Sequence, residues 1–193
     1  KDGEILLLSE YGLDAQPFDT SGKSRVDWKD STIRKWLNDD FYNSAFSEKE
    51  KENIVESKSE GFEEYNTSMN LTGGGKPYAY LEREIEDKVF LLSNTELCAY
   101  FSEDPYPGCY SDPYAHKELL CYPTAYAKQQ LETRYQTETC GWWLCNHVYE
   151  DDSVELVSAY GQGSGTSREN IKANTKSIAV RPAMWVTWQS DME

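Results

Sequence analysis

This chain is organised around one stretch, which begins with Cys140-Gly141-Trp142-Trp143-Leu144 and ends with Val180-Arg181-Pro182-Ala183-Met184-Trp185. The two ends are apolar and aromatic, whereas the residues between them are polar and dotted with glycine. Large rings bury the most area per residue, so such segments usually lie at the centre of a core. We therefore predict a rigid aromatic base that displays the polar residues between its two parts, as binding loops on a scaffold are displayed.

The composition predicts one folded domain that spans residues 1–193. Aromatic residues make up 13% of the chain, with fourteen tyrosines and six tryptophans, and this argues against disorder although the mean hydropathy is −0.75. Five cysteines form no paired C-x-x-C spacing, so they predict neither a zinc ribbon nor a small disulfide-knotted fold.

The net charge of −15 sets limits on the partners. Such a charge repels phosphate backbones and anionic membrane surfaces, so we expect no nucleic-acid partner. No run of 18 apolar residues exists, so we also expect no membrane insertion by this segment. The chain starts without Met and enters a strand-like run almost at once, which is typical of a mature or excised domain whose targeting segment lies elsewhere.

The first half of the chain predicts short helices between loops. Four aliphatic residues in Glu4–Ser9 indicate a strand buried on both faces. Asp30-Ser31 can cap a helix, and one apolar stripe follows at Ile33, Trp36, Leu37, Phe41 and Ala45. Ser47 and Glu50 form a capping box that starts a second helix ending near Ile54. The polar residues 56–87, with Gly73-Gly74-Gly75, are interpreted as a flexible loop.

The second half predicts further helices and then strands. Val89–Leu92 indicates a buried strand, and Ser93 to Glu96 caps a helix with Leu97, Tyr100 and Phe101 on its inner side. A third short helix is predicted over Thr124–Leu131. Strands are predicted over Trp142–Leu144, Val154–Val157 and Ile178–Val186, with Pro182 marking an edge or bulge. Early helices and late strands indicate an α+β domain.

A set of motifs in the same order resembles the bacterial domain family of unknown function numbered 6273, over nearly the whole chain. The motifs are Ile5–Leu8 with Ser9, Trp28, Ser31–Asn38, Phe41-Tyr42, Ala45-Phe46-Ser47, Asp87–Ser93, Cys121 with Pro123–Lys128, Trp142-Trp143-Leu144, and Val180-Arg181-Pro182-Ala183.

The resemblance implies a C-type-lectin-like fold, in the form found in formylglycine-generating enzymes and phage variable proteins. Short helices would pack on a small, twisted, mainly antiparallel sheet with long loops, in one domain over 1–193. It also implies a bacterial protein that is exported or attached to the cell surface. The family usually continues Arg-Ser-Pro-Gly after Trp142-Trp143-Leu144, whereas this chain continues Cys145-Asn146-His147-Val148. The departure falls where lectin-like folds vary their binding surface.

The catalytic and metal-binding patterns are sparse. Only His116 and His147 could serve a triad, and neither lies in a nucleophile elbow or a protease signature. The acidic runs Glu150-Asp151-Asp152 and Glu82–Asp87 offer oxygen ligands for calcium but lack the EF-hand spacing, so solvated turns are the simpler interpretation. We expect no cofactor.

Cys140 and Cys145 leave an alternative open. Formylglycine-generating enzymes hold copper with two cysteines a few residues apart, and soft thiolates select Cu(I). Residues five apart on a straight strand point to opposite faces, however. The competing interpretation makes Cys140 a small buried residue and Cys145 a replacement at the arginine position of the family. Arg181, in the last strand, needs a buried acid or carbonyl as its partner, whether it clamps the structure or recognises an anion.

The sequence is compatible with three functions. The first is a non-catalytic module that binds a protein or a glycan, with a binding face whose residues could vary between sibling copies of the domain. The second is a copper oxidase that uses Cys140 and Cys145, and the third is a structural domain without a ligand. Tyrosines and amides suit the first. The tyrosines and prolines of Ser102–Tyr122 either provide further contacts or pack that loop on the core. The contact residues we predict are Asn146, His147, Tyr149, Tyr160, Gln162, Arg168 and Asn170.

Overall fold

The computed structural model describes residues 3–23, 26–58, 79–80, 85–101, 117–132, 138–148, 153–162 and 171–188. It shows a mixed α+β architecture of short helices and several small, mostly antiparallel sheets. The strands are β1 (Glu4–Leu8), β2 (Tyr11–Gly12), β3 (Asp14–Ala15), β4 (Ile54–Val55), β5 (Ser57–Lys58), β6 (Ala79–Tyr80), β7 (Glu86–Asp87), β8 (Tyr122–Pro123), β9 (Trp142–Val148), β10 (Val154–Val157), β11 (Ala179–Val180) and β12 (Ala183–Thr187). The helices are α1 (Thr32–Trp36), α2 (Tyr42–Ala45), α3 (Glu48–Lys51), α4 (Asn94–Phe101) and α5 (Ala125–Gln130), with single 3₁₀ turns at Trp28–Asp30 and Lys117–Leu119.

Two sheets carry most of the strands. The larger sheet has the order β10-β9-β11-β3, with β6 also paired to β9, and the smaller one has the order β1-β12-β4. The described residues also form two short ladders, β2 with β8 and β5 with β7, and two isolated bridges. The mainly antiparallel character matches the prediction, but the strands are divided between several sheets rather than one.

The last predicted strand is divided at Arg181-Pro182. β11 belongs to the larger sheet, whereas β12 belongs to the smaller one and pairs with β1 over its whole length. Pro182 has no N–H to donate to a ladder, so the strand cannot continue through it. Its carbonyl instead accepts a hydrogen bond from Ser9 N at 2.9 Å. The break therefore carries the chain from one sheet to the other.

The prediction that the first strand is buried on both faces is wrong. Ile5 and Leu7 are 36% and 43% exposed, whereas Leu6 and Leu8 pack against the core. β1 therefore alternates like a strand with one covered face. A run of aliphatic residues looks the same in sequence whether one face or both are covered.

The helix capped by Ser31 is interrupted by a π-helical segment, Leu37–Phe41, that joins α1 to α2. Ile33 and Leu37 are buried as predicted, but the next buried position is Tyr42, and Ala45 is exposed. A π turn inserts one extra residue, so the inner face moves from the predicted Phe41 to Tyr42.

The π-helical segment also places Asn38 against the segment that follows β7. Its Oδ1 accepts from Lys88 N and Val89 N, and its Nδ2 donates to Val89 O at 2.9 Å and to Asp87 Oδ1 at 3.1 Å. Asp87 is buried and also accepts from Trp28 Nε1 at 2.8 Å and from Arg34 Nε at 2.7 Å. This network fastens the helix to the core.

Both predicted capping boxes form. Ser47 and Glu50 start α3, and Ser93 and Glu96 start α4. α3 ends at Lys51, earlier than predicted, because the residues from Ile54 pair with β12. On α4, Leu97 is buried and Phe101 packs at the edge of the core, but Tyr100 is exposed. α5, with Thr124 as its cap, lies within its predicted range.

Val89–Leu92 is buried throughout, as expected, although its pairing is limited to one bridge between Phe90 and Ala183. These residues join the single hydrophobic core, which is centred on Trp142, Trp143 and Leu144 of β9. The triple glycine lies outside the described residues, as do most of the other residues in the predicted loop 56–87.

Candidate functional site

The predicted aromatic base is present in β9. Trp142 and Trp143 are both 0% exposed, and both indole nitrogens find backbone acceptors within the interior. Trp142 Nε1 donates to Leu119 O at 3.0 Å, and Trp143 Nε1 donates to Gln16 O at 2.9 Å. Phe18 packs edge-on against Trp143, with ring centroids 6.0 Å apart. A buried ring with its polar atom satisfied has one preferred position, so this base is rigid.

The last strands lie directly against this base. Ala179 of β11 pairs with Trp142 of β9, and Val180 is buried beside them, while Trp185 packs at the margin of the core. Arg181 places its Cζ 4.9 Å from the centre of the Trp142 ring, and its Nε donates to Ser9 O at 2.7 Å. The predicted carbonyl partner of Arg181 is thereby confirmed, and the contact holds the first turn of the chain to the base.

A compact turn follows β10 and presents Tyr160. The hydroxyl of Ser158 accepts from Tyr160 N and from Gln162 N, both at 3.3 Å, and Ser158 N donates to Gln162 O at 2.8 Å. Gly161 adopts a φ of 75°, which the turn requires and which glycine adopts without strain. The Thr139 hydroxyl fixes the turn from outside by donating to Ala159 O at 2.7 Å. Tyr160 is 58% exposed on this ordered frame.

The other predicted contact residues are placed differently. Gln162 is half-buried beside Tyr160, but Asn146 is 0% exposed and lies in the interior, not on the polar face where we expected it. β9 has neighbouring strands on both edges and both its faces are covered, which explains that burial. His147 is paired with Val154 and Tyr80 through the backbone. Tyr149, Arg168 and Asn170 lie outside the described residues, as do His116, the run 150–152 and the predicted contact loop from residue 102 to residue 116.

One exposed aromatic pair was missed by the sequence interpretation. Tyr11 of β2 pairs in register with Tyr122 of β8, and both side chains are exposed. In a parallel ladder, paired residues point to the same side of the sheet, so the two phenols form one surface. Tyr11 follows a break after β1, and Tyr122 belongs to a long loop. Their proximity could be predicted only by someone who already knew that β2 pairs with β8.

The three cysteines whose side chains the structure describes, Cys121, Cys140 and Cys145, occupy two separate surroundings. The sulfur of Cys140 lies against Cys121, and both are buried beneath Gly12. Cys145 is buried further along β9, where burial raises the pKa of its thiol and the neighbouring carboxylates of Glu96 and Glu155 add to the effect. The two thiols of the copper interpretation thus have different neighbours. Within the described ranges, no three His, Cys, Asp or Glu side chains meet in a way that could hold a metal ion.

The described elements define a small mixed α+β domain with a buried double-tryptophan strand and an exposed tyrosine turn next to it. The family model described as a domain of unknown function (DUF6273) matches residues 2–188, so the chain belongs to this family. No curated protein and no solved structure is significantly similar to the chain. In the part of the chain that the structure describes, no helix has the length and apolar character needed to cross a membrane.

Proposed function

We propose that this chain is a non-catalytic binding module of C-type-lectin-like fold that takes a protein or a glycan ligand on the face carrying Tyr160. The observation that carries the proposal is the exposure of the Tyr160 ring on a turn held by hydrogen bonds from both sides. A large amphipathic side chain with few rotatable bonds, carried on an ordered backbone, loses little conformational entropy on binding, which favours contact residues of this kind.

The supporting structure lies directly behind this face. β10, which leads into the turn, pairs with β9 at Trp142 and Trp143, so the turn continues from the most rigid part of the core. Gln162 adds an amide at the edge of the same turn. We propose that His147, Tyr149, Arg168 and Asn170 extend this face, and that the protein is bacterial and exported or surface-attached. Comparison of sibling copies tests whether the face is diversified: substitutions concentrated at these positions support diversification, and an even spread over core and face contradicts it.

The matched pair Tyr160 and Tyr126 provides the test. Both rings are 58% exposed, but Tyr126 lies on α5 and not on the turn that carries Tyr160. Ligands are first identified on a glycan array and in a pull-down with the immobilised domain, and the affinity of each confirmed ligand is then measured by calorimetry. We expect Tyr160→Ala to weaken binding about tenfold or more, as central interface aromatics do, and Tyr126→Ala to leave it unchanged.

Two results would overturn this proposal. Equal losses in both tyrosine variants would place the ligand elsewhere, and a blank array together with a blank pull-down would favour the structural domain. The copper oxidase receives little support from the thiol contacts, since Cys140 meets Cys121 and not Cys145. Copper stoichiometry after reconstitution tests it directly, because bound copper that is lost in Cys145→Ser would restore that alternative.

A further inference from the structure

Cys121 and Cys140 meet in the interior although they lie far apart in sequence. Cys140 N donates to Cys121 O at 2.8 Å, so the two residues are direct backbone neighbours. Their sulfurs lie 3.3 Å and 3.4 Å from the point at which a Cβ on Gly12 would sit. The Cys140 thiol also donates a hydrogen bond to Cys121 O at 3.5 Å. In the structure both are free thiols.

This arrangement meets the requirements of a disulfide. The backbone hydrogen bond and the shared contact with Gly12 bring the two residues together, and disulfides join residues whose Cα atoms lie about 4.4–6.8 Å apart. Both sulfurs border the space that Gly12 leaves open.

The surroundings favour reaction at Cys121. Its hydrogen bond from Cys140 lowers the pKa of the Cys121 thiol, and the nearby Arg181 guanidinium acts in the same direction against the effect of burial. The same contact, together with burial, raises the pKa of Cys140. Within the described residues Arg181 Nη1 has no hydrogen-bond acceptor, so this atom is free to interact with a thiolate beside it. A thiolate is the form that attacks a disulfide.

We propose that Cys121 and Cys140 form a disulfide bond that ties the segment 117–123 to the start of β9. The oxidant is a small-molecule disulfide such as oxidised glutathione. The Cys121 thiolate attacks one of its sulfurs, and one thiolate leaves. Cys140 then loses its proton and attacks the Cys121 sulfur of the mixed disulfide, and the second thiolate leaves. Two protein thiols are oxidised, one reagent disulfide is reduced to two thiols, and the two protons that the protein thiols lose are taken up by the two leaving thiolates.

Both sulfurs are buried in the folded chain, so the bond closes during folding or in brief openings of this region. Cys121 is followed by Tyr122 of β8, and Gly12 follows Tyr11 in β2. The bond would therefore fix the exposed Tyr11–Tyr122 ladder to the rigid base. It does not depend on the proposed ligand-binding function.

Peptide mapping tests the pairing. The full chain is refolded with oxidised and reduced glutathione, remaining thiols are alkylated after denaturation, and the protein is digested with trypsin. Cys121 lies in the peptide 118–128, Cys140 and Cys145 in the peptide 135–168, and Cys98 and Cys109 in the peptide 89–117. We expect the peptides 118–128 and 135–168 to be linked, with the mass loss of two hydrogen atoms, and the link to persist in Cys145→Ser, which leaves only Cys140 to supply it.

The thermal midpoint gives a second measurement. Closing this loop raises the midpoint of the oxidised protein above that of the reduced protein by about 5–10 °C. Cys145→Ser retains this difference, whereas Cys121→Ala and Cys140→Ala abolish it. Complete alkylation of Cys121 and Cys140 after oxidative refolding overturns the proposal, and so does a link from the peptide 118–128 to the peptide 89–117. If Cys145→Ser does not fold, a second digestion of the wild-type chain with chymotrypsin decides the matter, because it cuts within Trp142-Trp143-Leu144 and separates Cys140 from Cys145.

Discussion

At the scale of single residues, Gly12 has the least room for a side chain among the described glycines. A Cβ there would lie 2.8 Å from the Cβ of Ala179, which is fixed to the backbone of β11, and close to the sulfurs of Cys121 and Cys140. We expect Gly12→Ala to lower the free energy of unfolding by about 1–3 kcal/mol through overpacking. Urea denaturation under reducing conditions measures this without interference from disulfide formation.

The companion variant Ala179→Gly shows whether the contact with Ala179 causes this loss of stability. It removes the methyl group that the new Cβ meets, so the double variant Gly12→Ala with Ala179→Gly transfers the methyl from one strand to the other. We expect a favourable coupling of about 1 kcal/mol or more between the two substitutions in the thermodynamic cycle. Strict additivity would show that the Gly12→Ala substitution is harmful for a reason other than this contact.

Residue-scale prediction from sequence was least successful at Asn146. It was expected among the contacts because it follows a regular motif with polar residues, yet its side chain is buried within the five-stranded sheet. Strand alternation indicates exposure only where one face is open, and the number of covered faces depends on strands distant in sequence. Tyr160, in contrast, could be predicted as exposed, since it lies in a glycine-marked turn.

At the scale of elements, the two capping boxes offer a controlled comparison of burial. Ser47–Glu50 and Ser93–Glu96 make the same pair of hydrogen bonds at the starts of α3 and α4. Glu50 is fully exposed, and its hydrogen bonds from Ser47 lower the pKa of its carboxyl. Burial of Glu96 raises the pKa of that carboxyl in spite of the same hydrogen bonds from Ser93.

The two pKa shifts predict that the contributions of Glu50 and Glu96 to folding stability change with pH in opposite directions. The lowered pKa of Glu50 means that its contribution to stability is present above the ordinary glutamate value of 4.5 and is lost as the pH falls through the folded value. The raised pKa of Glu96 means that protonation favours the folded state, so stability from this group increases as the pH falls towards 4.5. Between pH 7 and pH 4, the stability of the wild type relative to Glu50→Gln should therefore decrease, and relative to Glu96→Gln it should increase. Urea denaturation across this range measures both differences, and parallel trends would contradict the assignment.

Element starts were predictable from sequence because their signals are local. Ser31, Ser47 and Ser93 each cap the helix that they were expected to cap, and Thr124, the first residue of a predicted helix, caps α5. The π turn was not predictable, because its extra residue is retained by the bonds of Asn38 to Lys88 and Val89, which are remote in sequence. The division of the last strand was half predicted. Pro182 marked the place, but the change of sheet depends on β1 and β9, which lie far away along the chain.

At the scale of the whole molecule, the net charge of −15 opposes the compact state. Several acids lie in the interior, among them Asp14, Asp19 and Asp87, where backbone and side-chain donors satisfy them. The chain has only 19 basic residues against 34 acidic ones, so most of the excess negative charge has no basic partner. Repulsion between the remaining acidic side chains is therefore not cancelled by ion pairing. Salt screens repulsion between exposed charges over about 10 Å at 0.1 M ionic strength.

The stability of the protein should therefore rise with ionic strength at pH 7. We expect the urea midpoint to increase steadily as NaCl is raised from about 0.02 M to about 0.5 M, and to do so equally in KCl, because screening depends on ionic strength and not on the cation. The increase should shrink as the pH is lowered towards the isoelectric point of about 4.5, where the net charge that drives it disappears. A midpoint that is flat in salt at pH 7 would show that the exposed acids are too far apart to repel one another. A rise of equal size at pH 4.5 would assign the salt effect to exclusion of ions from the protein surface instead.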